Sequence, residues 1–282
     1  MTHPNTSAAR APVHEAKSTG DAIAHARWFE WLARAGLVAR GAIYAIIGVL
    51  ALEVAFGTGG KTTNQKGALA EIAQQPGGKI LLVLMAIGLF GYAFWRLLRA
   101  AVGHGPEETD DGKERLKGLA SGLAYMSLFI TCLSILFGSG GSGGSGSPDK
   151  ATGGVLGWPG GQVIVAIAGL VLIGVGLYQG YEGVKKKFLE KSKTEEMNEK
   201  TEKVFTALGM AGHLARMVVF ALIGYFLIKA AVDFDPDKAV SVDGALAALA
   251  KASYGPILLG IVALGMIAFA AYSVADARYR RV

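Results

Sequence analysis

The sequence predicts an all-α polytopic membrane protein: six transmembrane helices forming three parallel two-helix repeats around a pseudo-threefold axis. Three observations lead there. Apolar residues make up 52% of the 282 residues and charged residues 18%. Six apolar stretches are each about the length of a membrane span. The stretches between them alternate between charge-poor and charge-rich.

A spanning helix needs about 20 mostly apolar residues. The stretches that qualify are 36–56, 80–102, 117–137, 161–183, 207–232 and 256–275. Residues 1–27 are polar, with no apolar run followed by a cleavage pattern, and read as a disordered cytoplasmic tail rather than a secretory signal. The remainder divides into repeat one (28–104), repeat two (114–186), a charged cytoplasmic linker (187–203) and repeat three (204–277). In the linker, Glu196 with Lys200 and Glu199 with Lys203 stand four apart, which predicts a solvated helix. The Gly/Ser tract at 138–147 has the composition of a flexible loop, native or engineered, and carries no packing information.

Basic residues set the orientation. Of 28, seven lie at the ends joined within hairpins (Lys61, Lys66, Lys79, Lys150, Lys229, Lys238 and Lys251), and 21 lie at the other ends. Both termini are therefore expected in the cytoplasm, in the cell membrane. Trp28, Trp31, Trp95, Tyr178 and Tyr272 mark the inner headgroup belt.

The repeat is explicit. Displaced by 176 residues, Ala35, Gly36, Ala39, Arg40, Ile47 and Gly48 fall on Ala211, Gly212, Ala215, Arg216, Ile223 and Gly224. GALAEIA at 67–73 matches GALAALA at 244–250. In the middle copy Gly122 and Tyr125 match Gly41 and Tyr44, PGG at 159–161 matches PGG at 76–78, and Ser121 replaces the arginine. This pattern of A-G-x-x-A-R-G-x-x-Y openings with G-A-L-x-x-L-A loops resembles the DUF1206 family of bacterial membrane proteins. The resemblance covers residues 30–280 and implies six membrane helices in three repeats. It implies nothing about chemistry, because the family's function is unknown. Copy three departs from the pattern at Met217 and Phe220.

The candidate positions are the polar groups placed in lipid. An arginine at the bilayer centre costs about 2.5–3.5 kcal/mol on insertion scales, and less near the interface. Arg40 and Arg216 are therefore expected either to anchor on lipid phosphate or neighbouring carbonyls, or to face the axis as a partial ring of positive charge that holds an anion. Glu53 and Lys229 occupy equivalent positions and would pair, with Ser134 nearby, if the first helices of adjacent copies met at the axis. Arg99, Glu182 and Asp276 are also equivalent and would form a charge triad at the inner ends. Gly36, Gly41, Gly48, Gly118, Gly122, Gly176 and Gly180 let helix backbones approach closely where no hydrophobic effect drives association.

Lys185, Lys186 and Lys187 directly follow span four and are expected to attract anionic lipid. His213 aligns with apolar Leu37 and is expected to be an internally satisfied histidine, and Cys132 a small buried hydrophobe. No nucleophile–base set, metal-ligand spacing or phosphate-binding loop is present in the sequence, so no cofactor, metal, nucleic acid or enzymatic activity is expected. The leading expectation is a non-enzymatic structural or interaction component. The alternative is a small channel or transporter with its path along the axis. Polar side chains lining a hydrated axis would favour the second, and an axis packed dry the first.

Overall fold

The structure, a computed structural model, describes residues 27–102, 112–137 and 148–280. The tail at 1–26 and the Gly/Ser tract at 138–147 lie outside the described residues. All named elements are helical: α1 (Arg27–Phe56), α2 (Gln65–Gln74), α3 (Gly78–Val102), α4 (Gly112–Leu136), α5 (Pro148–Leu156), α6 (Gly161–Val184), α7 (Glu199–Val232), α8 (Val242–Ala250) and α9 (Gly255–Tyr279). Six of them, α1, α3, α4, α6, α7 and α9, are long and apolar enough to cross a membrane. Each apolar stretch of the sequence thus becomes one long helix.

The three copies share a plan of long helix, short helix, long helix. The G-A-L motif is the short helix. Asn64 caps α2, its side chain accepting from the Gly67 amide at 3.0 Å. Ala68, Leu69 and Ile72 are buried, as are Ala245 and Leu246 of α8, so the motif plugs the bundle end with small and branched apolar groups. The caps of two copies also touch: Asn64 Nδ2 donates to Ser241 Oγ at 3.3 Å. Between short and long helices stands a tight turn. A Cβ on Gly78, Gly161 or Gly255 would collide with the carbonyl oxygen of Ile72, Val155 or Ala250, which explains the repeated glycine. The residue before each of these glycines is left-handed: Gly77 (φ 75°), Gly160 (φ 75°) and Tyr254 (φ 60°).

Long helices pack in a ring order of α1 on α3, α3 on α4, α6 on α7, α7 on α9 and α9 on α1. The ring does not close. The two long helices of the middle hairpin, α4 and α6, share no packed interface. Nor do α1, α4 and α7 pack helix to helix across the centre. Outward faces stay apolar, as at Ile80, Leu84 and Ile87 on α3 or Ile257, Ile261 and Leu264 on α9, where a lipid-exposed surface is required.

Glycine explains the close crossings. Gly36 on α1 lies against Gly88 on α3, and their counterparts Gly212 and Gly265 lie against Phe269 and Ala215 across α7 and α9. Between copies the relationship is reciprocal. Gly41 receives Val274, and Gly122 receives Leu97. At the third equivalent pair the glycine has changed helices, so that Gly180 of α6 receives Met217 of α7. The departure of copy three from the motif is thus compensated by its neighbour.

The linker differs from expectation. Residues Lys187–Lys191 and Thr194–Glu196 form two short 3-10 turns, and α7 begins only after Asn198, whose side chain accepts from the Thr201 amide at 2.8 Å. Glu196 therefore lies outside the helix and pairs with Lys193 at 3.3 Å instead of Lys200, whereas Glu199 and Lys203 pair as expected at 2.6 Å. Phe188 and Ser192 are buried, so this segment is packed onto the bundle rather than solvated. Trp95 and Tyr272 also turn inward, at 4% and 2% exposure, and cannot serve as lipid-facing anchors. Trp95 packs beside Tyr92, and Tyr272 against Phe188 and Phe205.

Candidate functional site

The unclosed ring surrounds a cavity of about 1930 Å³. It reaches from the short-helix end, at Asn64 and Ser241, to the end carrying the chain termini, at Asp276 and Arg280. Between α4 and α6 its wall is formed by side chains of both helices, which share no packed interface. On α4 these are Ser121, Ser127, Thr131 and Ser134. Each hydroxyl is bonded to a carbonyl one turn earlier, at 2.8–3.1 Å, which satisfies the donor in lipid and leaves lone pairs facing the cavity.

At the terminal end, one level of the bundle holds an arginine in each of the three between-copy helix pairs. On α1 and α9, Arg40 Nε donates to Ser273 Oγ at 3.2 Å, and its guanidinium pairs with Asp276 at 3.5 Å. Asp276 is fully buried and also pairs with Arg280 at 3.4 Å and accepts from Ser192 Oγ at 3.4 Å. On α3 and α4 the arginine has moved across the pair: Ser121 stands on α4, and Arg96 of α3 donates to the Tyr92 hydroxyl at 3.1 Å. On α6 and α7 the arginine is Arg216, and the counterparts of Ser273 and Asp276 are Gln179 and Glu182, which line the same cavity.

There the equivalence fails. Glu182 pairs with Lys191 at 3.6 Å rather than with the arginine. Arg216 Nε and Gln179 Oε1 are both buried without a hydrogen-bond partner. Arg216 is held instead by aromatic faces, with its guanidinium 4.6 Å from the ring centre of Phe269, 5.5 Å from Phe220 and 5.7 Å from Tyr44. Arg40 lies 5.1 Å from the same Phe269 ring.

Of the positions singled out in the sequence, Arg40, Arg216, Ser121, Glu182 and Asp276 all line this cavity. Arg99 lies on α3, but its side chain is outside the described residues. Glu53 and Lys229 do not line the cavity, and no ion pair joins them among the described residues. Lys229 is exposed, and Glu53 lies over Gly60. The reason is that α1 and α7 form no packed helix interface, approaching each other through side chains such as Tyr44 and Arg216. His213 is satisfied internally, Nδ1 lying 2.7 Å from the Gly209 carbonyl and its ring stacked on Phe188. Cys132 is buried. Outside the sequence expectation were Arg280, which shares Asp276, and the aromatic faces around Arg216. Aligning Gln179 with Ser273 was the signal that a polar partner should face Arg216.

The family model for the Domain of Unknown Function DUF1206 matches three times, at residues 35–111, 116–186 and 211–280, one match per structural copy. The chain belongs to the DUF1206 family. Within it, the chain is similar to the uncharacterized protein YxxB of Bacillus subtilis (strain 168), with 34% identity over 258 residues, covering 90% of this chain and 92% of that protein. No solved structure matches. The DUF1206 repeat thus corresponds to two membrane-type helices bridged by a short helix.

Proposed function

We propose that this DUF1206 protein is a non-enzymatic binding protein of transporter type, holding a small ligand inside the bilayer in a chamber at the centre of its three repeats. The observation that carries the reading is the chamber itself. A structural scaffold would pack its axis with glycine, alanine and leucine, whereas this axis is open and lined by arginines and by the α4 hydroxyls. Transport sites in repeat-built membrane proteins lie where the repeats meet, and polar side chains in lipid concentrate along such pathways. The three copies are arranged in parallel around the axis. The excess of basic residues at the terminal end supports a reading with both termini on the cytoplasmic side of the cell membrane and the arginine level near its inner surface. Lys185, Lys186 and Lys187 then meet the anionic inner leaflet. The scaffold reading retains one support, the glycine-tight crossings, which a rigid wall around a chamber also requires.

The test uses the full chain with Cys132→Ser as background. Ser121→Cys and Thr131→Cys are placed in the chamber and Leu123→Cys on the lipid side of α4, where Leu123 is 57% exposed. In membranes, a charged, membrane-impermeant thiol reagent should modify the two chamber cysteines and spare Leu123→Cys. Silence at all three positions means a dry axis and returns the protein to the scaffold class.

A further inference from the structure

Resting on the chamber reading, we infer that Arg216 and Gln179 form the seat for the anionic headgroup of a membrane amphipath, which enters sideways between α4 and α6. The argument begins with the comparison of two equivalent arginines. Arg40 has hydrogen-bond partners in Ser273 and Asp276. Arg216 has the same position, the same neighbouring helix type and none of those bonds, because Lys191 has taken Glu182. Two buried polar atoms that the repeat would pair with side chains, Arg216 Nε and Gln179 Oε1, are left open on the wall of one cavity. Buried polar groups are almost always bonded, and an unpaired one costs about 1–3 kcal/mol, so both atoms point to an absent occupant.

Charge gives the sign of that occupant. Arg40 and Arg216 lie on one phenyl ring and repel each other, and Asp276 already serves Arg40 and Arg280. Adding Arg96 and Lys191, the terminal end of the chamber carries five cations against Glu182 and Asp276. An anion with several acceptor oxygens, a phosphoryl group above all, answers Arg216, and a hydroxyl beside it answers the Gln179 carbonyl. The aromatic faces of Phe269, Phe220 and Tyr44 hold the guanidinium without neutralising it. The route gives the remainder of the molecule. Because α4 and α6 share no packed interface, the chamber opens sideways toward the hydrocarbon. Along the opening, apolar Ile130, Val171 and Val175 alternate with the α4 hydroxyls and suit an acyl chain.

The experiment measures binding to the purified full chain in a neutral detergent, using phosphatidylglycerol, phosphatidylcholine and inorganic phosphate as separate probes. Readouts are the rise in thermal unfolding temperature and the bound species seen by native mass spectrometry. Phosphatidylglycerol should bind in preference to phosphatidylcholine. Arg216→Gln should weaken it about tenfold or more through loss of a charge-assisted hydrogen bond. Gln179→Met, close in shape and free of the orphan carbonyl, should weaken it by a smaller factor and guards against misfolding of the arginine variant. Replacing Lys185, Lys186 and Lys187 together by alanine should leave tight binding in place, which separates the seat from the surface cluster. Saturable binding of inorganic phosphate that disappears in Arg216→Gln upholds the seat and makes its source aqueous. The inference is overturned if neither anion binds, if binding survives Arg216→Gln, or if it is lost only with the three lysines. Those results leave the thiol-labelling pattern untouched, so the chamber and the seat fail separately.

Discussion

Arg40 and Arg216, 176 positions apart in the chain, place their guanidinium groups on the ring of one residue, Phe269, at 5.1 and 4.6 Å from its centre. The sequence already paired them as equivalents, and the fold makes them neighbours. Their surroundings differ: Arg40 is bonded to a hydroxyl and a carboxylate, whereas Arg216 has neither and is held by aromatic faces.

Asp276 is the first consequence. It is fully buried and shared by Arg40 and Arg280. Removing one member of a buried ion pair costs about 3–5 kcal/mol, because the remaining charge has no solvent to turn to. Asp276→Asn should lower thermal stability in detergent by about that amount, and a double-mutant cycle with Arg40→Met should show coupling above about 1 kcal/mol. Additive single effects would mean that the pair is not formed.

The exchanged glycine gives a second prediction. Gly180 accepts Met217, where the other two pairs place the glycine on the opposite helix, as Gly41 against Val274 and Gly122 against Leu97. Gly180→Leu alone overpacks the crossing and should cost about 1–3 kcal/mol. Combining it with Met217→Gly recreates the arrangement of the other two pairs and should restore much of the loss. A double variant no more stable than Gly180→Leu would show that this helix pair is set by something else.

At the turns, Tyr254 occupies a left-handed position that Gly77 and Gly160 fill in the other copies. A side chain there costs about 1–2 kcal/mol, and Tyr254 is 80% exposed, so it gains little packing in return. Tyr254→Gly should raise the unfolding temperature, and Gly77→Ala should lower it. Both changes are read by thermal unfolding of the full chain.

Asn64 both caps α2 and reaches the equivalent cap residue Ser241. Asn64→Ala should cost about 1 kcal/mol and speed hydrogen exchange at Gly67. Ser241→Ala should cost less, because Ser241 makes no side-chain cap bond to α8. Equal effects would place the value of Asn64 in the cross-link rather than the cap.

The six spans were legible because a membrane imposes a length and a polarity that appear directly in the residue string, and the copies were legible because Arg40 recurs as Arg216. The neighbours of each helix were harder to read. Glu53 and Lys229 are equivalent in sequence yet unpaired, since equivalence fixes height along the axis but not the distance across it. Trp95 and Tyr272 look like interfacial aromatics at that height, and only the packing decides that they turn inward. The orphaned state of Arg216 depends on Lys191, a residue from a linker whose return onto the bundle no periodicity announces. The Domain of Unknown Function match extends over all three copies, so these relationships can be examined in the YxxB relative as well.

The missing contact between α4 and α6 also has a mechanical meaning. A closed hoop of helices resists widening in every direction, because each interface braces the next. A split hoop has one soft direction. Here the jaws are α1, α3 and α4 on one side and α6, α7 and α9 on the other, and the spine opposite the split is the α1–α9 crossing, held by Gly41, Gly48 and the Arg40–Asp276 pair. Spreading the jaws stretches no backbone within a jaw and keeps the long-helix interfaces, straining only cross-jaw contacts such as Asn64–Ser241 and Arg216–Tyr44. The mouth of this protein is therefore its most compliant dimension, and stiffening the spine is the way to fix its gape.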